Sequence, residues 1–481
     1  MLKKYLKPVI CSFIIFLFFT LFVSSSNDLI KRFVLDNGLE LFVIENHTVP
    51  LAWIQITFRC GARTHTPETT GLFHLYEHML FKGNEVYKDQ TSFSNAMKEL
   101  GVTTWNGGTS GEYVTYYFSV PSDKVEKGIE FWANAVRYPL FDKNEFEAEK
   151  KVVINEIKGY NSDPGHIFFG ALDKALFYKY PWRKDVGGAP KHIEAATIEQ
   201  MIMIKNTFYV PNNAALFVGG DVNPDKVLEW TKKYFGSWER SINPVPEFPP
   251  HPELTSNSYL VYSDSTFYKN FIFFIMQFKG PDVLRDPEAT YAADVWGTLL
   301  ENPNGKFKNN IFKKLRGLYK KDYIVMYYYT QRDGGEITFY TYMTYNASLS
   351  TPDRIKELEK IVLDELKLMA SDPKYFSNEE LELAKRKLSD HRVIESEKPS
   401  SLISNLSFWW ASASTDYYFN YLDNCNKVKY EDIVKFLQKY VLDKNYVLAV
   451  RINSKDFEKD KDAFSKTGFT FITEDNAYWW K

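Results

Sequence analysis

Cysteine is scarce in this chain, with three in 481 residues, and one of them, Cys11, falls in an N-terminal apolar run. Two cysteines as far apart as Cys60 and Cys425 do not make the disulfide framework of a small secreted scaffold. No Cys-x-x-Cys pair occurs, which excludes a thiolate zinc site. Each of the two therefore reads as a small buried hydrophobe. An excess of basic charge is also missing. With 59 Lys and Arg against 61 Asp and Glu, the net charge of −2 excludes the electrostatic footprint of a nucleic-acid binder. Beyond residue 26 no apolar run is long enough to span a membrane.

What the sequence has is length, and 44% hydrophobic residues to bury, which implies two or more domains. Lys3, Lys4 and Lys7 precede an apolar run from Val9 to Val23, and Ser24, Ser25 and Ser26 follow it. That pattern predicts an export signal over residues 1–26 and an exported protein, periplasmic or extracellular. Residues 241–257 carry five of the 21 prolines and no periodicity, so they read as an extended linker. The linker leaves an N-terminal domain over 27–240 and a C-terminal domain over 258–481.

The two halves look distantly alike. The strand-like segment at 54–62 answers to 271–280, and 112–120 answers to 336–344. Each member of the second pair leads into a helical pattern, at 122–136 and 351–366, opened by an N-cap type residue. We read a duplicated α+β fold: two homologous domains, each a largely antiparallel sheet packed with helices.

Chemistry concentrates in GLFHLYEHMLFKG (71–83). His74 and His78 lie four apart, so on a helix both imidazoles leave one face and can offer two nitrogens to a tetrahedral zinc. Glu77 shares that face, where a carboxylate can take a proton from an attacking water and deliver it to the leaving amine. The order His-x-x-Glu-His is the inverted zinc-peptidase motif. Two histidines on a helix face can equally make ordinary hydrogen bonds, so a third ligand matters. EFEAEKKVVINEIKGY (145–160) reads as a helix with Glu149 and Glu156 seven apart on one face. Either is available; most such glutamates are simply solvated.

Together these segments resemble the pitrilysin/insulinase family of zinc peptidases, which includes the mitochondrial processing peptidases, and the chain is of the half-length type. The resemblance extends to DNGLELFVIEN (36–46) and YVPNNAALFVGGDV (209–222), and so spans most of the chain. It implies that Glu156 is the third zinc ligand, that Glu77 is the general base, and that Glu149 orients a histidine or the water from behind. WNGGTSGEYVTYYFSVPSD (105–123) resembles the edge strand on which relatives bind substrate by β-augmentation, with Asn106 holding the peptide backbone. Gly107 and Gly108 depart from the family pattern there, and two glycines weaken a strand. FKKLRGLYKKDYIV (312–325) resembles the segment carrying an Arg and a Tyr seven apart, which makes Arg316 and Tyr323 candidates for stabilising an oxyanion.

The second half has no motif of its own. Aligning Gly280 with Gly61 puts Ala293, Trp296 and Gly297 where His74, Glu77 and His78 stand, and His391 near the counterpart of Glu156. The second half is thus expected to hold substrate. In the family four such domains enclose a peptide, so the resemblance implies a homodimer or a heterodimer with a related subunit. The expected activity is zinc-dependent hydrolysis of unfolded peptides. The alternatives are a catalytically silent scaffold or assembly subunit, which would be expected to lose ligands or base, and a zinc-scavenging protein, which needs neither Glu77 nor a substrate strand.

Overall fold

Six strands form the first sheet: β1 (Ile30–Val34), β2 (Glu40–Glu45), β3 (Leu51–Phe58), β4 (Thr104–Thr109), β5 (Val114–Pro121) and β6 (Ala214–Gly220). Their order is β1-β2-β6-β3-β5-β4, and only the β2–β6 pair is parallel. The structure is a computed structural model describing residues 29–242, 248–346 and 348–481. The expected export segment, 1–26, lies outside the described residues, as do residues 243–247 of the expected linker.

The second sheet repeats this plan with β7 (Ser258–Asp264), β8 (Phe271–Lys279), β9 (Val325–Tyr329), β10 (Glu336–Thr344), β11 (Tyr446–Asn453) and β12 (Thr470–Phe471). Its order is β12-β7-β11-β8-β10-β9. Five strands therefore recur in the same chain order and the same sheet order. The outer strand alone differs. In the first sheet it comes from upstream and runs antiparallel to β2, whereas β12 comes from downstream and runs parallel to β7. The fold is α+β with two like halves, each a mainly antiparallel sheet layered with helices.

Strand patterning follows from what covers each face. β5 alternates buried and half-buried residues along its length, as a strand with one fully covered face should. β6 is buried at every position. Its two faces serve different cores: Leu216 and Val218 join the helices of their own half, while Ala215 and Phe217 pack against Leu402, Leu406 and Trp410 of the Pro399–Ser412 helix from the other half. The exchange is reciprocal. The Pro164–Leu176 helix of the first half sets Ile167, Phe168 and Leu172 against Leu260, Ile275, Val447 and Ala449 of the second sheet.

Some local boundaries differ from the sequence reading. β3 ends at Phe58 rather than continuing to residue 62, because Gly61 at φ 109 turns the chain away. Ser122 opens a short 3-10 turn, and the helix proper starts at Val125 without a side-chain cap. The cap of the Thr351–Ser371 helix is Ser350, whose hydroxyl accepts from the Asp353 amide. Residues 248–257 have no regular secondary structure but are tied down: Arg183 Nη1 donates to the Pro249 carbonyl at 2.7 Å and Asn445 Nδ2 to that of Leu254 at 2.7 Å.

Candidate metal centre

The motif helix spans Leu72–Leu80 and buries Leu72, Phe73, Leu75, Tyr76, Met79 and Leu80, which leaves the stripe of His74, Glu77 and His78 at the edge of the core. Its start is set by two glycines in close backbone approach. A Cβ on Gly71 (φ 80) would lie 2.3 Å from the Gly187 carbonyl oxygen, and one on Gly188 (φ 72) 2.4 Å from the Thr70 carbonyl carbon. Facing it runs the Lys143–Asn161 helix, capped by the Asp142 carboxylate and buried along Phe146, Glu149, Lys150, Val153 and Ile157.

Helical spacing brings Glu149 and Glu156 onto the motif helix together. His78 Nδ1 donates to Glu149 Oε1 at 2.8 Å, which directs Nε2 the other way. There His78 Nε2 lies 3.2 Å from His74 Nε2, and Glu156 Oε2 lies 3.7 Å from His74 Nε2 and 3.5 Å from His78 Nε2. One atom from each of the three residues falls within 4.8 Å of the others, a donor set of two nitrogens and one oxygen that fits a tetrahedral zinc with a position to spare. Lys82 Nζ, 2.6 Å from Glu149 Oε2, secures the buried carboxylate from the far side.

Electrostatics fit the same reading. Burial lowers the His74 pKa to about 4, with the His78 charge adding to the effect, so His74 is neutral and can donate a lone pair. Burial works to lower that of His78 too, but the hydrogen bond to Glu149 and the charges of Glu156 and Glu149 outweigh it and the net shift is upward. A proton and a metal cation compete for one nitrogen, so carboxylates that raise affinity for the first raise it for the second. Glu77 is pushed up by burial, against a hydrogen bond from Thr109, whose hydroxyl donates to Glu77 Oε2 at 2.7 Å.

His74, Glu77, Gly108 and Thr109 are among the residues lining a cavity of about 520 Å³. Among the described residues β4, which carries the last two, pairs only with β5 and presents its other edge unpaired. The strand runs unbroken through both glycines. Gly107 has a packing reason, since a Cβ there would come within 2.9 Å of the Phe81 ring, and Gly108 faces open space. Asn106 stands exposed on the same strand.

Two family descriptions match the chain: "Insulinase (Peptidase family M16)" over residues 41–189 and "Peptidase M16 inactive domain" over residues 195–388. This chain belongs to the M16 insulinase family. Among curated relatives, an uncharacterized zinc protease of Bacillus subtilis is 29% identical over 44% of this chain and 51% of its own length. Human insulin-degrading enzyme is 29% identical over 45% of this chain and 22% of its own. The matched stretches thus span about half or less of these relatives. Among solved structures, an M16-like peptidase from Alicyclobacillus acidocaldarius matches with TM-score 0.74 and 17% identity, over 88% of this chain and 98% of that one. The first half of a periplasmic protease from Escherichia coli matches with TM-score 0.72 and 14% identity, over 92% and 96%.

Within this M16 chain the inactive-domain match falls mostly on the second half, whose Pro287–Leu300 helix occupies the place of the motif helix. Trp296 there is fully buried and donates to the Met369 sulfur, and Ala293 is buried beside it. His391 is exposed. Arg316 and Tyr323 are exposed on the segment leading into β9, with Tyr323 packed edge-on to Tyr342, and neither borders the cavity that holds His74 and Glu77. Sequence reasoning missed Thr109, Lys82 and the segment Tyr478–Trp480, which also lines that cavity. Lys82 had a legible signal, four residues after His78. Thr109 lay within the segment read as the substrate edge strand without being singled out, and the aromatic segment had no signal, because only the folded sheets bring them near.

Proposed function

We propose that this M16 chain is a zinc-dependent endopeptidase that hydrolyses unfolded peptides. The observation that carries the reading is the convergence of His74, His78 and Glu156 on one point, with Glu77 beside them on the same helix stripe. His74 Nε2, His78 Nε2 and Glu156 Oε2 would hold the ion, and Glu149 fixes the His78 ring by its hydrogen bond at Nδ1. Zinc at that position supplies Lewis acidity toward a peptide carbonyl and an attacking water. Glu77, held by Thr109, takes the proton of that water on its carboxylate and passes it to the amide nitrogen as the peptide bond breaks. A peptide lying along the free edge of β4 makes main-chain hydrogen bonds that do not depend on its sequence, with Asn106 at hand for its backbone.

Four such domains enclose a peptide in the family and this chain carries two, which is why we assign the working unit as a homodimer or a pair with a related subunit, with Arg316 and Tyr323 stabilising the oxyanion across the subunit interface. An exported location follows from the N-terminal charge and apolar pattern, and agrees with the periplasmic relative of known structure. The scaffold alternative is weakened because every ligand and the base are retained in the first half.

The test compares wild type with Glu77→Gln for zinc content and for cleavage of a quenched unfolded peptide. About one zinc per chain in both, with cleavage in wild type alone, is the expected result. Zinc in both and cleavage in neither, with or without candidate partner chains, would move the assignment to a scaffold.

A further inference from the structure

The half that carries the metal centre and the half without one meet at two hairpin turns. β4 and β5 are joined by residues 110–113, and β9 and β10 by residues 330–335. From the first turn the buried Glu112 side chain crosses to the second. There its Oε2 accepts from the Arg332 amide at 2.9 Å and its Oε1 from the Asp333 amide at 3.4 Å. The second turn is fixed in its own half: the Gly334 amide donates to Asp282 Oδ1 at 2.7 Å, and Arg332 Nη2 to the Ala413 carbonyl at 2.8 Å. The first turn is braced by Ser110, whose hydroxyl oxygen accepts from the Glu112 and Tyr113 amides at 3.2 and 3.1 Å. Thr109, the residue before it, is the one whose hydroxyl donates to Glu77 Oε2 at 2.7 Å.

We propose that Glu112 is a positioning residue for the peptidase reaction: by gripping the turn of the second half it holds the end of β4, and through Thr109 the Glu77 carboxylate, in place beside the metal centre. The proposal rests on the peptidase reading above and deepens it. β4 needs such an anchor. Among the described residues it pairs along one edge alone, and it carries Gly107 and Gly108, which soften a strand. A carboxylate accepting two main-chain amides is a strong, directional tie, and burial keeps water from substituting for it. Burial raises the pKa of Glu112, and the charge of buried Arg63 and the Arg332 amide oppose that rise. Two jobs are thus open to this side chain, balancing Arg63 and holding the turn. They ask different things of it: charge for the first, reach for the second. Through the second job the half without ligands contributes to the chemical step.

The experiment uses the full chain loaded with zinc and a quenched unfolded peptide. Glu112→Asp keeps the charge but draws the carboxylate back from the Arg332 amide. It should lower kcat about 10–100-fold, as a small misplacement of a catalytic group does, with KM within about 2-fold and zinc content unchanged. Glu112→Gln loses the charge but keeps the reach, and should stay within about 3-fold of wild type. Combined with Thr109→Val, Glu112→Asp should add little to the loss that Thr109→Val causes alone, because both act on Glu77 by one route. Equal rates in the two Glu112 variants, or the opposite order, would assign the residue to Arg63, and multiplying losses in the double variant would break the route. Either result overturns the proposal. Should Glu112→Asp not fold, Arg332→Ala, which frees the turn from the Ala413 carbonyl, takes its place. It should lower kcat about 5-fold in the wild-type background and not in the Thr109→Val background, and no loss overturns the proposal. Should wild type not cleave, the peptidase reading fails and hydrogen exchange decides the tie separately. Faster exchange at the amides of residues 104–113 in Glu112→Asp supports it, and an unchanged rate overturns it.

Discussion

The two halves share a strand order, a helix order and even an exchanged helix, yet they put opposite things at the same place. In the first, the helix after the third strand carries His74, Glu77 and His78, the first two lining a cavity; in the second, the corresponding helix buries Ala293 and Trp296, with Gly297 half-buried beside them. The opposing helix follows suit. It offers Glu149 and Glu156 in the first half, whereas the second has exposed His391 and, seven residues earlier, buried Ala384. A fold can therefore keep its layers while one copy fills with an indole the space that the other keeps for polar ligands. The site is a matter of a few side chains and the gap they face.

The largest effect that would sharpen this contrast is loss of a ligand. His78→Ala should lower bound zinc to well under one per chain and peptide cleavage to about a thousandth of wild type or less. His391→Ala should change neither, as judged by metal analysis and a quenched-peptide assay. Loss of zinc in both variants would break the contrast.

Next comes stability. Trp296→Ala removes a fully buried indole and should cost about 3–5 kcal/mol in a urea titration without touching zinc content. Glu77→Ala, at the equivalent helix position, should cost far less stability and abolish cleavage. Equal losses of stability would mean that the first helix, too, is mainly a core element.

A third expectation concerns acid. Burial lowers the pKa of His65, in the turn after β3, to about 4, while the second half has exposed Leu284 at the same distance from its own glycine. The folded state holds His65 neutral and the unfolded chain takes up its proton below the ordinary histidine value of 6.5. Its contribution is thus present in full above that pH and is lost as pH falls toward 4, amounting to roughly 3 kcal/mol. His65→Gln should flatten that part of a stability-against-pH curve; an unaltered slope would place the acid sensitivity elsewhere.

The smallest expected effect is on affinity. Glu149→Ala makes the first half resemble the second at this position and frees His78 Nδ1 and Lys82 Nζ together. Zinc affinity should fall about 10–100-fold, measured by competition with a chelator. No change would mean that Glu149 serves packing alone.

Much of this was legible without the structure. The four-residue spacing of the histidines, the seven-residue spacing of the glutamates and the duplicated strand and helix pattern are short-range regularities, and helix and strand periods turn them directly into faces. The boundaries were less legible: Gly61 ends β3 early, and Ser350 rather than Thr351 caps its helix, because a turn's dihedral or a cap's hydrogen bond outweighs apolar spacing there. The weakness expected of Gly107 and Gly108 does not interrupt β4, since pairing with β5 and the ring of Phe81 hold the strand.

By itself the sequence determined which helix faces carry the candidate ligands, which half carries the motif, and that two like sheets would form, since each depends on residues within a few turns of one another. Only the tertiary structure decided that Glu156 meets the two histidines, that Thr109 holds Glu77, and that Tyr478–Trp480 lines the cavity nearly four hundred residues downstream. Those contacts join distant segments across packed layers, and no local periodicity encodes where a strand edge and a far-off indole will come to line one cavity.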